Sequence, residues 1–346
     1  MPRSRLDLGA YALPGRIADP RPGLQQAVTG EALGLGSIWV AERWEKKEIA
    51  ATLGALSQRT QRIKLVAGMT HFGTRHPIVL AGMAATLQAL SGNRFVLGFG
   101  RSVAFLWKNL GVPVPVNAAM ADYAKILRSL WAGETVSYDG PAGRYPHMRM
   151  PELPDVPPPL LLAAIGPKTL ALAGEHFDGV VLHPFLSAEG VQRSAAIVRA
   201  AAEAAGRDPA SVKVYAEVVV APDASEADIL SAVSMRAVTY FTIRDLGGQL
   251  VAMNGWDAAP LERLLADSRY VNIEGQKGTH EELRAKMKEA VDLLPPQWLE
   301  EGAAAGTAQS VARRLLEYRS AGADEIVLHG TTTDRLGPLV SAYAEL

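Results

Sequence analysis

One repeated pattern constrains the fold of this chain more than any other feature: a short run of branched apolar residues, a glycine, a polar cluster, then a helix start. It is clearest at Arg62–Pro77, RIKLVAGMTHFGTRHP. Ile63, Leu65, Val66 and Ala67 suit a strand buried on both faces. The run stops at Gly68, and a polar cluster with Thr70, His71, Thr74, Arg75 and His76 follows it. Pro77 then opens a helix, where a missing N–H is harmless. Gly68 permits backbone torsions closed to other residues, so a distortion or a close approach is expected there.

The same plan recurs along the chain. Leu6–Leu13, Ser37–Ala41, Arg94–Phe99, Leu160–Ala164, Gly179–Leu182, Val212–Val220 and Glu325–Leu328 read as further strands. Helical patterns fall at Pro22–Leu33, Glu48–Gln58, Ile78–Leu90, Ala118–Trp131, Ala188–Ala205 and Thr307–Arg319. Eight strand–helix units favour a closed parallel barrel over an open sheet. The length of 346 residues suits a barrel of roughly 250 residues with additions. The chain thus reads as one α/β domain over 1–346, a (β/α)8 TIM barrel, with insertions at about 112–158 and 225–305. The first insertion is rich in proline and glycine, with a hairpin-type turn signal at Asp139-Gly140. The second, a helical excursion over Ser225–Trp298, either covers a pocket or makes a homodimer contact; the sequence leaves both open.

Composition narrows the function classes. Hydrophobic residues make up 48% of the chain and charged ones 21%, enough for a large core without covalent staples. A net charge of -1 argues against general nucleic-acid or membrane-surface binding, leaving a small-molecule substrate as the expected partner. The absence of cysteine excludes disulfides, thiolate catalysis and Cys-bound metals. No signal-peptide core or membrane span is legible, so a cytoplasmic location is expected.

In barrels of this type the reacting groups stand at the C-terminal strand ends. There the sequence places Glu42, Arg43 and Trp44 after the second strand and Thr70 and His71 after the third. Arg101 follows the fourth strand, Lys168 the fifth, His183 the sixth and His329 the eighth. Each also has a plain reading. A strand-end histidine often caps a carbonyl, Glu42-Arg43 could be a surface ion pair of small worth, and Trp44 could be packing. Gly166-Pro167-Lys168-Thr169 is more specific, because a glycine turn at a helix N-terminus presents free N–H groups to a phosphate. Gly98 and Gly100 would let a ligand lie close to the fourth strand together with Arg94, although a lone GxG is weak. No Walker sequence, GxGxxG on a first strand, HxH or HExxH occurs, so nucleotide hydrolysis, a Rossmann site and metal ligation find no support.

Taken in order, GLGSIWVAER, RIKLVAGMTHFGTRHP, SGNRFVLGFGR, LLLAAIGPKTLALAGEHFDGVVL and GTAQSVARRLLEYRSAGADEIVLHG resemble the bacterial luciferase-like flavin and deazaflavin oxidoreductases. The resemblance spans most of Gly34–Gly330 outside the two insertions. It implies a barrel holding a flavin-like ring at its C-terminal face. In the branch using the deazaflavin coenzyme F420, it implies a non-prolyl cis peptide at Gly68-Met69 backing that ring, and the cofactor phosphate near Gly166–Thr169. The implied reaction is hydride transfer between deazaflavin C5 and a substrate, with Glu42 and His71 as candidate proton carriers. Arg43, Trp44, His183 and His329 are the expected substrate contacts, and Gly68, Met69, Thr70, Gly98, Gly100 and Arg101 the expected cofactor contacts. Two departures stand out. Sugar-phosphate dehydrogenases of the family carry an Asp-His pair where this chain has Glu42-Arg43, and a glutamate where it has Ser102-Val103. The alternatives are an FMN-dependent monooxygenase of the same fold and a non-catalytic F420 carrier.

Overall fold

The computed structural model describes residues 6–15, 18–43, 46–102 and 104–346. Its contacts group the chain into two compact units. The first is drawn from Met1–Ala164, Lys168–Val181 and Ile197–Lys213, and the second from Ile165–Pro167, Leu182–Ala196 and Val214–Leu346.

The first unit holds β1 (Leu8–Tyr11), β2 (Ser37–Val40), β3 (Lys64–His71), β4 (Phe95–Gly100), the hairpin β5 (Val136–Gly140) and β6 (Gly143–Met148), and β7 (Leu160–Ala164); β8 (Gly179–Leu182) follows β7 in sheet order. β1 to β4 and β7 pair in parallel, in chain order. The expected strands are there. β1 is shorter than its apolar run because Pro14 and the positive-φ residues Leu13 and Gly15 turn the chain away. Ile38, Trp39, Val40, Leu65, Val66, Ala67, Phe95, Leu97 and Phe99 are all buried, as strands covered on both faces require.

The N-terminal strand ends of this unit are tied by side chains. Arg94, read from sequence beside a ligand-approach pair, instead donates to the carbonyls of Ser57, Thr60, Ile63 and Ser91, which accounts for its guanidinium at the base of β4. Asp178 accepts from Leu160 N–H at 2.7 Å and pairs with Arg128 at 2.9 Å. Within the stretch 112–158, Asn117–Trp131 forms a helix burying Tyr123, Leu127, Leu130 and Trp131, and the β5–β6 hairpin follows it, turning just after Asp139-Gly140.

The second unit holds β9 (Lys213–Pro222), β10 (Ala303–Gly306) and β11 (Glu325–His329), with β9 paired in parallel to both others. The stretch from Ser225 is helical, as expected, and includes a π-helical turn, Leu230–Ser234. β10 was not legible: AAAG has no β-branched residue and gains its strand geometry from the neighbouring β9. Trp256 and Trp298 stack at 5.3 Å beside Phe241 and anchor the helical segment. Strand–helix alternation through the chain is that of a (β/α)8 barrel. Among the described residues no helix is long and apolar enough to cross a membrane.

Candidate active site

The C-terminal end of β3 is bulged. Pairing with β4 runs in register through Ala67 and resumes at Thr70, and the Gly68-Met69 peptide between them is cis, as the resemblance implied. The glycines around it make room for the bulge. A Cβ on Gly98 would meet the Ala67 carbonyl oxygen and lie 2.7 Å from Met69 Sδ; one on Gly100 would lie 3.3 Å from Met69 Cβ. A Cβ on Gly68 would run into the ring of Trp39. Gly98 and Gly100 therefore form a cleft for the Met69 side chain. The close approach that the sequence forecast is made by protein atoms.

Beside the bulge sits an ion-pair cluster. Arg75 Nη2 donates to Glu42 Oε1 at 2.5 Å, and Nη1 donates to Glu42 Oε2 at 3.0 Å and to Thr70 Oγ1 at 3.1 Å. Thr70 Oγ1 donates to Glu42 Oε2 at 2.6 Å, and Arg75 also pairs with Glu48. The Glu42 side chain is 0% exposed, so it does not stand open to a substrate as its place after β2 had led one to expect. Its hydrogen bonds to Arg75 raise the guanidinium pKa still further, against the opposing effect of burial. The Glu42 N–H donates to the Met69 carbonyl at 3.2 Å, which fastens the loop after β2 to the bulge. Arg75 was visible in the sequence as part of a polar cluster, but no spacing rule pairs it with a carboxylate 33 positions away.

His71 follows on β3, opposite Gly100. Its ring meets Trp107 edge to face at 5.3 Å, and Trp107 donates its indole N–H to the Arg101 carbonyl. Burial lowers the His71 pKa, an effect that nearby Glu42 opposes only in part, so the imidazole is neutral at pH 7. Arg43 is exposed, its backbone bridged to Lys47. Lys47 is buried and donates to the carbonyls of Leu13 and Gly15. Trp44 lies outside the described residues. Lys168 is exposed on the first turn of the helix Pro167–His176, with Thr169 beside it.

The second unit carries the other sequence candidates. His183 is stacked edge to face on Tyr240 at 4.6 Å, and burial pushes its pKa down to about 4. His329, buried at the end of β11, lies 3.4 Å from Arg236 Nη1. A guanidinium has only donors, so His329 Nε2 is the acceptor there. Arg236 and Tyr240 were missed in the sequence because they sit on a helix, Met235–Phe241, far from any strand end. Gly166 belongs to this unit too; a Cβ there would fall 2.7 Å from Gln249 Oε1. Among the described residues, no group of His, Asp and Glu is placed to hold a metal ion.

A 5,10-methylenetetrahydromethanopterin reductase of Methanolobus tindarius is 30% identical over 67% of this chain and 71% of its own length. An F420-dependent glucose-6-phosphate dehydrogenase of Beutenbergia cavernae is 33% identical over 51% of this chain and 56% of its length, so that match spans little more than half of the relative. In structure, the coenzyme F420-dependent tetrahydromethanopterin reductase of Methanopyrus kandleri superposes over 99% of both chains with a TM-score of 0.78 at 19% identity. Residues 2–325 match the luciferase-like monooxygenase family model, and the chain belongs to that family.

Proposed function

We propose that this protein is an F420-dependent oxidoreductase that moves a hydride between deazaflavin C5 and a small organic substrate. The observation that carries the reading is the built end of β3, where the bulge seats Met69 in the Gly98/Gly100 cleft with neutral His71 beside it. The names of the sequence relatives support the choice of cofactor. The residues fit such a group. The strand end offers a shaped backbone for a flat ring, and Lys168 and Thr169 on a helix first turn suit its phosphate.

F420, when bound, supplies the hydride-carrying carbon. The chain supplies position and proton handling. His71, neutral and largely shielded, accepts or donates one hydrogen bond at a substrate oxygen and exchanges a proton there. Glu42 is sealed and already bound to Arg75 and Thr70, so its role is to position the strand end. Arg43, exposed and permanently charged, suits a substrate carbonyl or carboxylate oxygen.

The test is an oxygen-free titration of the six tryptophans' fluorescence with F420 and, separately, with FMN. Saturable F420 quenching at lower concentration than FMN is expected. Preference for FMN would overturn the reading and move the protein to oxygen-dependent chemistry.

A further inference from the structure

A second polar feature of the second unit takes no part in the chemistry above. A cavity of about 210 Å³ opens where β9 and β11 end, lined by Asp228, Ser231, Arg236, Thr331 and Arg335. Its charges are unequal. Arg335 is paired with Asp228 at 3.1 Å, whereas among the described residues Arg236 has no carboxylate within ion-pair range. Three contacts hold the Arg236 guanidinium: Nε donates to the Ala232 carbonyl at 3.2 Å, Nη1 faces His329 Nε2 at 3.4 Å, and the Tyr240 hydroxyl shares a hydrogen bond with it. A guanidinium has five N–H donors, so donors remain for a further acceptor. The Ala232 carbonyl and Ser231 both belong to the π-helical turn Leu230–Ser234. Such turns recur where a helix is adapted to a ligand.

We propose that this cavity is an oxyanion subsite in which Arg236, assisted by the hydroxyls of Ser231 and Thr331, binds a phosphate or carboxylate head group. The volume admits such a head group. A part-buried guanidinium held in a fixed orientation, with donors still available, is well matched to a planar or tetrahedral oxyanion. The subsite lies within the second unit and goes beyond the oxidoreductase reading. Its affinity for a bare anion does not depend on that reading.

The experiment measures binding of inorganic phosphate to the whole chain by calorimetry at low ionic strength, for the wild type, Arg236→Met, Arg236→Lys and Lys168→Ala. Saturable binding that weakens ten-fold or more in Arg236→Met, is partly restored in Arg236→Lys and persists in Lys168→Ala is expected. Absence of saturable binding, or equal binding by wild type and a folded Arg236→Met, overturns the proposal. Failure of Arg236→Met to fold, judged by circular dichroism, leaves Arg236→Lys and a Thr331→Val/Ser231→Ala double variant to decide by the same criterion. The source of the anion is then separated by fluorescence titration with F420 and with its deazaflavin alcohol, which lacks the phosphate. A ten-fold loss in Arg236→Met for F420 alone assigns the subsite to the cofactor side chain, and unchanged affinity for both assigns it to the substrate. F420 binding to the wild type tests the cofactor reading separately.

Discussion

Replacing Arg75 by methionine tests the organisation of the candidate active site most directly. Methionine keeps much of the length and apolar stem of arginine but removes every donor. Glu42, whose side chain is 0% exposed, would then keep only the Thr70 hydroxyl at 2.6 Å as a partner. Breaking a buried pair by removing one member costs about 3–5 kcal/mol, because the remaining charge is neither solvated nor paired. With an unfolding entropy of about 2.1 cal/mol/K per residue, a chain of 346 residues should lose about 4–7 °C in Tm. The companion Glu42→Leu/Arg75→Met double variant removes both charges and should recover most of that loss, since an apolar pair of similar volume is often neutral. Differential scanning calorimetry of wild type, both single variants and the double variant closes the cycle. A drop below about 1 °C for Arg75→Met, or a double variant no more stable than it, would refute the claim that Arg75 holds a sealed carboxylate at this strand end.

Four further outcomes are expected. Gly98→Ala places a methyl 2.7 Å from Met69 Sδ and onto the Ala67 carbonyl, so it should cost about 1–3 kcal/mol and weaken F420 binding. Gly82→Ala, in an open helical position of Pro77–Ser91, should instead be neutral or stabilising by up to about 1 kcal/mol in the same melts. His183 has its folded pKa lowered to about 4 from an ordinary 6.5, so its contribution to stability is complete above pH 6.5 and is lost as pH falls towards 4. The loss amounts to about 3 kcal/mol, and His183→Gln should flatten that part of the pH–Tm curve; an unchanged slope would remove His183 as its origin. His71→Gln should lower kcat/KM by about 10²-fold or more while F420 titrates normally, and parallel losses in binding and turnover would show a packing role instead.

Much of the fold was legible because the signals are local. Short branched runs ending in glycine or polar residues located most barrel strands within one or two residues, and β7 and β8 fell at the expected bounds, whereas β3 runs on past its expected stop at Gly68 through Thr70 and His71. Glycines 68, 98 and 100 were legible as places of close approach, although their neighbours turned out to be Trp39 and Met69. β10 was not legible, because its strand state is imposed by pairing with β9. Nor was the part played by Arg94. A charged residue at a strand start can face a ligand or gather carbonyls, and only the positions of Ser57, Thr60 and Ile63 decide between them.

The sequence by itself determined the strand–helix alternation, the apolar strands buried on both faces, and the polar groups set after each one. These follow from nearest-neighbour chemistry: side-chain branching, glycine torsions and proline at helix starts. Tertiary structure alone decided which of those groups meet. It closed Arg75 over Glu42 and so took a carboxylate out of reach, and it brought Arg236 to His329 across 93 positions of chain. The physical reason is that burial and ion pairing depend on distances in space, which spacing along the chain does not encode.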